Sequence, residues 1–189
     1  MAGAYYEDQM LEGRVFSQAT TPLGLAIPVY TATALGGGAL PLWNPPRSGV
    51  NLEVVEYSCA RASGTADFGA IGVMARALDA IATGSVMSAM AETTPFNGTV
   101  LWSGRGPAAK SSNAGTNTVT AGVAGDWVRT LFTFNLEADT GTAHATTAAV
   151  HKFDGTLIVP PGVLVYLAAT KASVALFASH VVWREVPRV

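Results

Sequence analysis

From Gly49 onward the chain falls into short runs in which apolar and polar positions follow a period of two. In "VNLEVVEYSCARAS", Leu52, Val54, Glu56 and Ser58 alternate with Glu53, Val55, Tyr57 and Cys59. In "WVRTLFTFNLEAD", Trp127, Arg129, Leu131 and Thr133 alternate with Val128, Thr130, Phe132 and Phe134. Both patterns predict strands. "DFGAIGVMARALDAIA" mixes signals: Ala70, Met74, Ala77 and Leu78 fit a helical spacing, while Gly69 and Gly72 weaken a helix there. A strand followed by a short helix or loop accommodates both. "TPFNGTVLWSGRG" holds a tight-turn signal at Asn97–Gly98, and "KSSNAGTNTVTAGVAGD" reads as loop.

The last third has a different pattern. In "DGTLIVPPGVLVYL", Val163, Val165 and Leu167 share one face of a strand and Leu164, Tyr166 and Ala168 the other. Pro161 and Gly162 fit the two central positions of a type II turn, which kinks the chain just before that strand. In "ASVALFASHVVW", Ala175, Phe177, Ser179, Val181 and Trp183 oppose Val174, Leu176, Ala178, His180 and Val182. Neither strand has a polar face, although an antiparallel strand with one wet face should alternate cleanly. Both faces are therefore expected to be covered, one by the domain's own core and the other by a partner chain. Leu176, Phe177, Val181, Val182 and Trp183 are the candidate residues for core and interface, with the assignment of faces open.

Residues 1–50 lack this regularity. "TTPLGLAIPVYTATALGGGALPLWNPP" carries Pro22, Pro28, Pro41, Pro45 and Pro46 together with Gly36–Gly37–Gly38. Such a density disfavours a helix or a central strand. Leu25, Ile27, Val29, Tyr30, Leu42 and Trp43 are nonetheless too apolar for a solvated linker. Two readings satisfy both facts: an extended arm lying on its own or a neighbouring body, or the irregular first part of the same domain. The expected architecture is all-β, a jelly roll or β-sandwich over residues 51–189 with an extended irregular N-terminal arm over residues 1–50.

Composition sharpens the expectation of association. Charged residues make up only 13% of the 189 residues and mean hydropathy is +0.32. A monomer would have difficulty covering its surface with so few charges. The net charge of −2 gives no electrostatic footprint for nucleic acid or an anionic membrane. No apolar run reaches the roughly 20 residues of a membrane span, and the N-terminus lacks the apolar stretch of a secretory signal.

Chemistry is sparse. The single cysteine, Cys59, excludes an internal disulfide and fits a small buried residue. His144 and His151 have no metal-ligand spacing and read as surface histidines; His180 reads as a hydrogen-bonded core or interface histidine. No Gly-x-Ser-x-Gly elbow is present, the carboxylates are scattered, and "GRGPAAKSS" is a poor phosphate loop. Asn97–Gly98–Thr99 matches a glycosylation acceptor, though the turn reading is preferred. No enzyme activity, cofactor or metal is expected.

"TPLGLAIPVYTATA" with "LWNPPRSGVNLEVVEYS", and the closing "FDGTLIVPPGVLVYLAATKASVALFASHVVWREVP", resemble small structural proteins of tailed bacteriophages. The resemblance rests on a D-G-x-L-x-V-P-P-G turn before an A-L-F … W-x-E-x-P strand. It implies a trimeric jelly roll that decorates a capsid or builds a fibre or collar, and no catalytic residues. The expected function is a homotrimeric capsid decoration or cement protein in the virion, contacting the major capsid protein or other virion proteins. The alternative is a head-fibre, collar or tail component with a receptor- or glycan-binding face, for which Trp102 is the loop aromatic to consider.

Overall fold

The computed structural model describes residues 12–30, 39–64, 69–77, 96–97, 107–111, 126–134, 148–171 and 175–188. Among them there is no helix. The strands are β1 (Val15–Ala19), β2 (Ala39–Asn44), β3 (Val50–Ser63), β4 (Gly69–Ala77), β5 (Phe96–Asn97), β6 (Lys110–Ser111), β7 (Asp126–Phe134), β8 (Ala148–Lys152), β9 (Ile158–Val159), β10 (Val163–Ala169) and β11 (Leu176–Pro187). They form two antiparallel sheets. The first, sheet A, has the order β5-β1-β11-β3-β8 with β9 also paired to β3; the second, sheet B, has the order β6-β2-β10-β4-β7.

Setting aside the two-residue β5, β6 and β9, the pairing is palindromic. The first of the remaining strands pairs with the last, β1 with β11, and β2 pairs with β10. Inside these, β3 pairs with β8 and β4 with β7. A hairpin of this kind, rolled so that successive pairs fall in alternate sheets, is a jelly roll. The expected fold class is therefore the observed one.

The core between the sheets includes Phe16, Leu42, Leu52, Val54, Tyr57, Ile71, Val73, Val165, Leu167, Phe177, Val181 and Trp183. Phe16 stacks on Trp183 with ring centroids 5.9 Å apart. The Tyr57 hydroxyl spans the layers toward the Leu40 carbonyl at 3.5 Å.

Three local features correct the simple alternation. Val182 pairs with Glu56 but Trp183 pairs with Val54, so Val55 is an extra residue in β3. A bulge of one residue exchanges the two faces of a strand. Leu52 and Val54 before it, and Tyr57 and Cys59 after it, consequently all enter the core. In β7, register shifts leave Val128 and Leu131 as extra residues, and Arg129 turns inward between them. The third feature is the kink. Gly162 has φ 84° and the Val163 amide donates to the Pro160 carbonyl at 3.2 Å, as the type II turn requires. This turn carries the chain from β9 in sheet A to β10 in sheet B.

The first fifty residues contribute strands to both sheets. β1 and β2 are strands of the two sheets, and Leu42 lies in the core. Pro41 is tolerated because β2 is irregular there: the register with β10 shifts between Val165 and Leu167, and Leu40 takes φ 49°. Among the described residues before β2, 20–30 run extended and irregular. They cross the chain's own body, with Leu25 bridged to Phe177 and Val29 to Ala169.

Candidate interaction surface

The two doubly apolar strands have different surroundings. In β10, Leu164, Val165, Tyr166, Leu167, Ala168 and Ala169 are all buried, so both faces are covered within the single chain. In β11, Phe177, Val181 and Trp183 are buried in the core, together with Ala175 and Ser179. Leu176, Ala178, His180 and Val182 on the other face are only half-buried. The open question of faces is thus answered: Phe177, Val181 and Trp183 belong to the core, Leu176 and Val182 to the outer surface of sheet A.

Cross-strand pairing builds that surface row by row, since directly opposed residues share a face. Val182 lies between Ser17 of β1 and Glu56 of β3, and Glu56 faces Lys152 of β8. His180 lies between Ala19 and Ser58, and Ser58 faces Val150, which is 61% exposed. Ala178 faces Ala60, and Ala60 faces Ala148. The result is a mixed field in which Val182, Leu176, Val150 and the alanines stand among Ser17, Ser58, His180, Glu56 and Lys152. Burial pushes the His180 imidazole below its ordinary 6.5, an effect that Glu56 partly opposes.

One end of the field is closed by a buried ion pair. Arg184 faces Glu53 across the ladder, and its Nε donates to Glu53 Oε2 at 2.8 Å, with Nη2 donating to the same oxygen. Glu185, the next residue, points the other way. Its Oε1 accepts the amides of Ala108 and Ala109 at 2.5 and 3.0 Å, tying residues 107–109 to β11. Sequence reasoning missed both roles. The signal was a pair of opposite charges inside an apolar run, "VVWREV", where burial demands partners.

The six residues expected to make arm contacts all have partners or burial within the chain. Leu25 exchanges both backbone hydrogen bonds with Phe177 at 2.9 Å. Ile27 and Leu42 are in the core, and Trp43 is buried opposite Leu164 on the outer side of sheet B. Val29 bridges to Ala169, and Tyr30 remains 40% exposed. Asn44 uses its side-chain amide to donate to the Val50 and Val159 carbonyls, each at 2.9 Å, which fixes the start of β3 against β9.

The remaining candidates are distributed as follows. Cys59 is buried, its thiol pushed up to about 11 by desolvation, with the Ser179 hydroxyl 3.3 Å away. His151 lies in a cross-sheet cluster instead of on an open surface. Arg129 Nη1 is 3.4 Å from its Nε2, and the same guanidinium covers Phe153 at 5.4 Å. Among the described residues no group of three His, Cys, Asp or Glu side chains is arranged to hold a metal ion, and no helix is long and apolar enough to cross a membrane. His144, Trp102, Gly98, Thr99 and the Gly36–Gly38 run lie outside the described residues.

No protein-family model, curated protein or solved structure matches the chain.

Proposed function

We propose that the chain is a structural protein of a tailed-phage virion, a homotrimeric capsid decoration or cement protein whose subunits associate through the outer face of sheet A. The observation that carries this reading is the half-buried outer face of β11, where Leu176, Ala178 and Val182 accompany His180. An isolated sheet would place polar side chains there. Apart from Glu56 opposite Lys152 the rows named are short of charge, which suits a symmetric partner. Low overall charge and the resemblance of the opening and closing segments support the assignment to a particle. The jelly-roll fold is compatible with it but equally with lectin and cupin roles, so the fold itself is only an analogy.

In this reading the partners are further copies of the chain and the major capsid protein or other virion proteins, and no reaction is catalysed. The test is labelling of intact particles with a gold-conjugated antibody raised against the purified chain. Regular labelling over the head supports a decoration role. Labelling confined to the neck, fibres or tail selects the head-fibre, collar or tail alternative, and unlabelled particles overturn both.

A further inference from the structure

We infer that Trp127 and Tyr30 form a binding corner for a pyranose ring on the outer side of sheet B. This goes beyond the assembly role and does not depend on the chain being part of a particle. The bulge at Val128 places Trp127 opposite Met74 and next in line to Gly72, on the face away from the core. The indole lies across Gly72 so closely that a Cβ there would sit 2.2 Å from Cζ2. Only glycine allows the ring to lie down on the sheet. Its Nε1 donates to Thr130 Oγ1 at 3.1 Å, which fixes the rotation of the ring in its own plane. Tyr30 stands beside it at 6.2 Å between centroids, with the two rings at 77°. The backbone of Tyr30 is held by its amide, which donates to the Ala169 carbonyl at 2.7 Å.

The two rings therefore make a floor and a wall, the indole fixed by its hydrogen bond and the Tyr30 backbone by its amide. Trp127 is half-buried and Tyr30 is 40% exposed, so the corner opens to water. Its rim carries the Thr130 hydroxyl. Thr130 is exposed, and because its oxygen accepts from the indole, its own proton is free to donate outward. A pyranose has matching halves: a C–H face that stacks on an indole and a ring of hydroxyls that needs polar neighbours. Aromatic floors with few, placed polar groups are the usual construction of such sites. A proline ring could use the floor but has no use for the hydroxyl rim.

Saturation-transfer NMR on the full chain tests this with methyl glycosides of glucose, galactose, mannose and N-acetylglucosamine, and with free proline as control. Transfer to the ring protons of at least one glycoside is expected, with a dissociation constant on the order of 1 mM. Trp127→Ala should abolish it, and Tyr30→Ala should weaken it by about tenfold, the worth of one aromatic contact. Circular dichroism checks that each variant is folded. Tyr30 is exposed enough that its variant keeps the fold, and it decides the outcome if Trp127→Ala does not. Absence of transfer to all four glycosides overturns the inference. So does transfer that Tyr30→Ala leaves unchanged, or transfer to proline as strong as to any sugar.

Discussion

Single residues on sheet A carry the first two expectations. His180 sits in the middle of the outer field, and burial holds its imidazole below the ordinary 6.5. The folded chain thus binds fewer protons than the unfolded chain near and below that value. Stability must fall as pH drops through 6.5 toward the lower folded value, and be fully present above it. Urea midpoints between about pH 7 and 5 should decline for the native chain and decline less for His180→Gln; parallel profiles would refute the role given to His180. The second expectation concerns Glu53 and Arg184, whose side chains are 8% and 7% exposed. Removing one partner leaves a buried charge unmatched, so Glu53→Ala should cost about 3–5 kcal/mol. Glu53→Leu combined with Arg184→Met should recover much of this in denaturant unfolding. A double variant no better than the single would show that the pair is more than compensated charge.

At the scale of elements, the turn before β10 was legible because proline and glycine act through backbone geometry that needs no tertiary context. Gly162→Ala should cost about 1–2 kcal/mol, the penalty of a Cβ at positive φ, and should lower the urea midpoint without changing its slope. A neutral result would mean that the turn relaxes to another type. Strand β11 was equally legible as a strand, and its burial alternates from Ala175 to Trp183, though nothing in its sequence says which face is the core. β3 and β7 were legible as strands but not in their faces. A bulge leaves no local sequence mark, and the extra residues Val55, Val128 and Leu131 are ordinary strand formers. Strand β2 was illegible for the same reason. Pro41 argues against a central strand only if the ladder is regular, and here the ladder is broken at that position. The Trp127–Tyr30 corner was invisible for a further reason: its two rings are far apart in sequence and meet only because β7 and the end of the 20–30 segment reach the same side of sheet B.

For the whole molecule, the puzzle of two strands without a polar face divides into two answers. β10 is covered on both sides within one chain, so its composition says nothing about partners. β11 is buried on one side and half-buried on the other from Leu176 to Val182, and in the proposed assembly that outer face is the one a second copy takes. The central claim is that this face joins subunits. It is tested most directly by placing Asp at Leu176 and at Phe177 separately, then measuring circular dichroism and light-scattering mass for each. Val182 is a poorer choice, because Glu56 lies directly opposite and would add like-charge repulsion. The native chain should scatter as about three times its 19.4 kDa mass. Phe177→Asp puts an unpaired charge into the core and should unfold the chain. Leu176→Asp should give a native-like spectrum at the mass of one chain, since water can reach that face. A native chain that is already monomeric, or a Leu176→Asp variant that remains a folded trimer, would contradict the account.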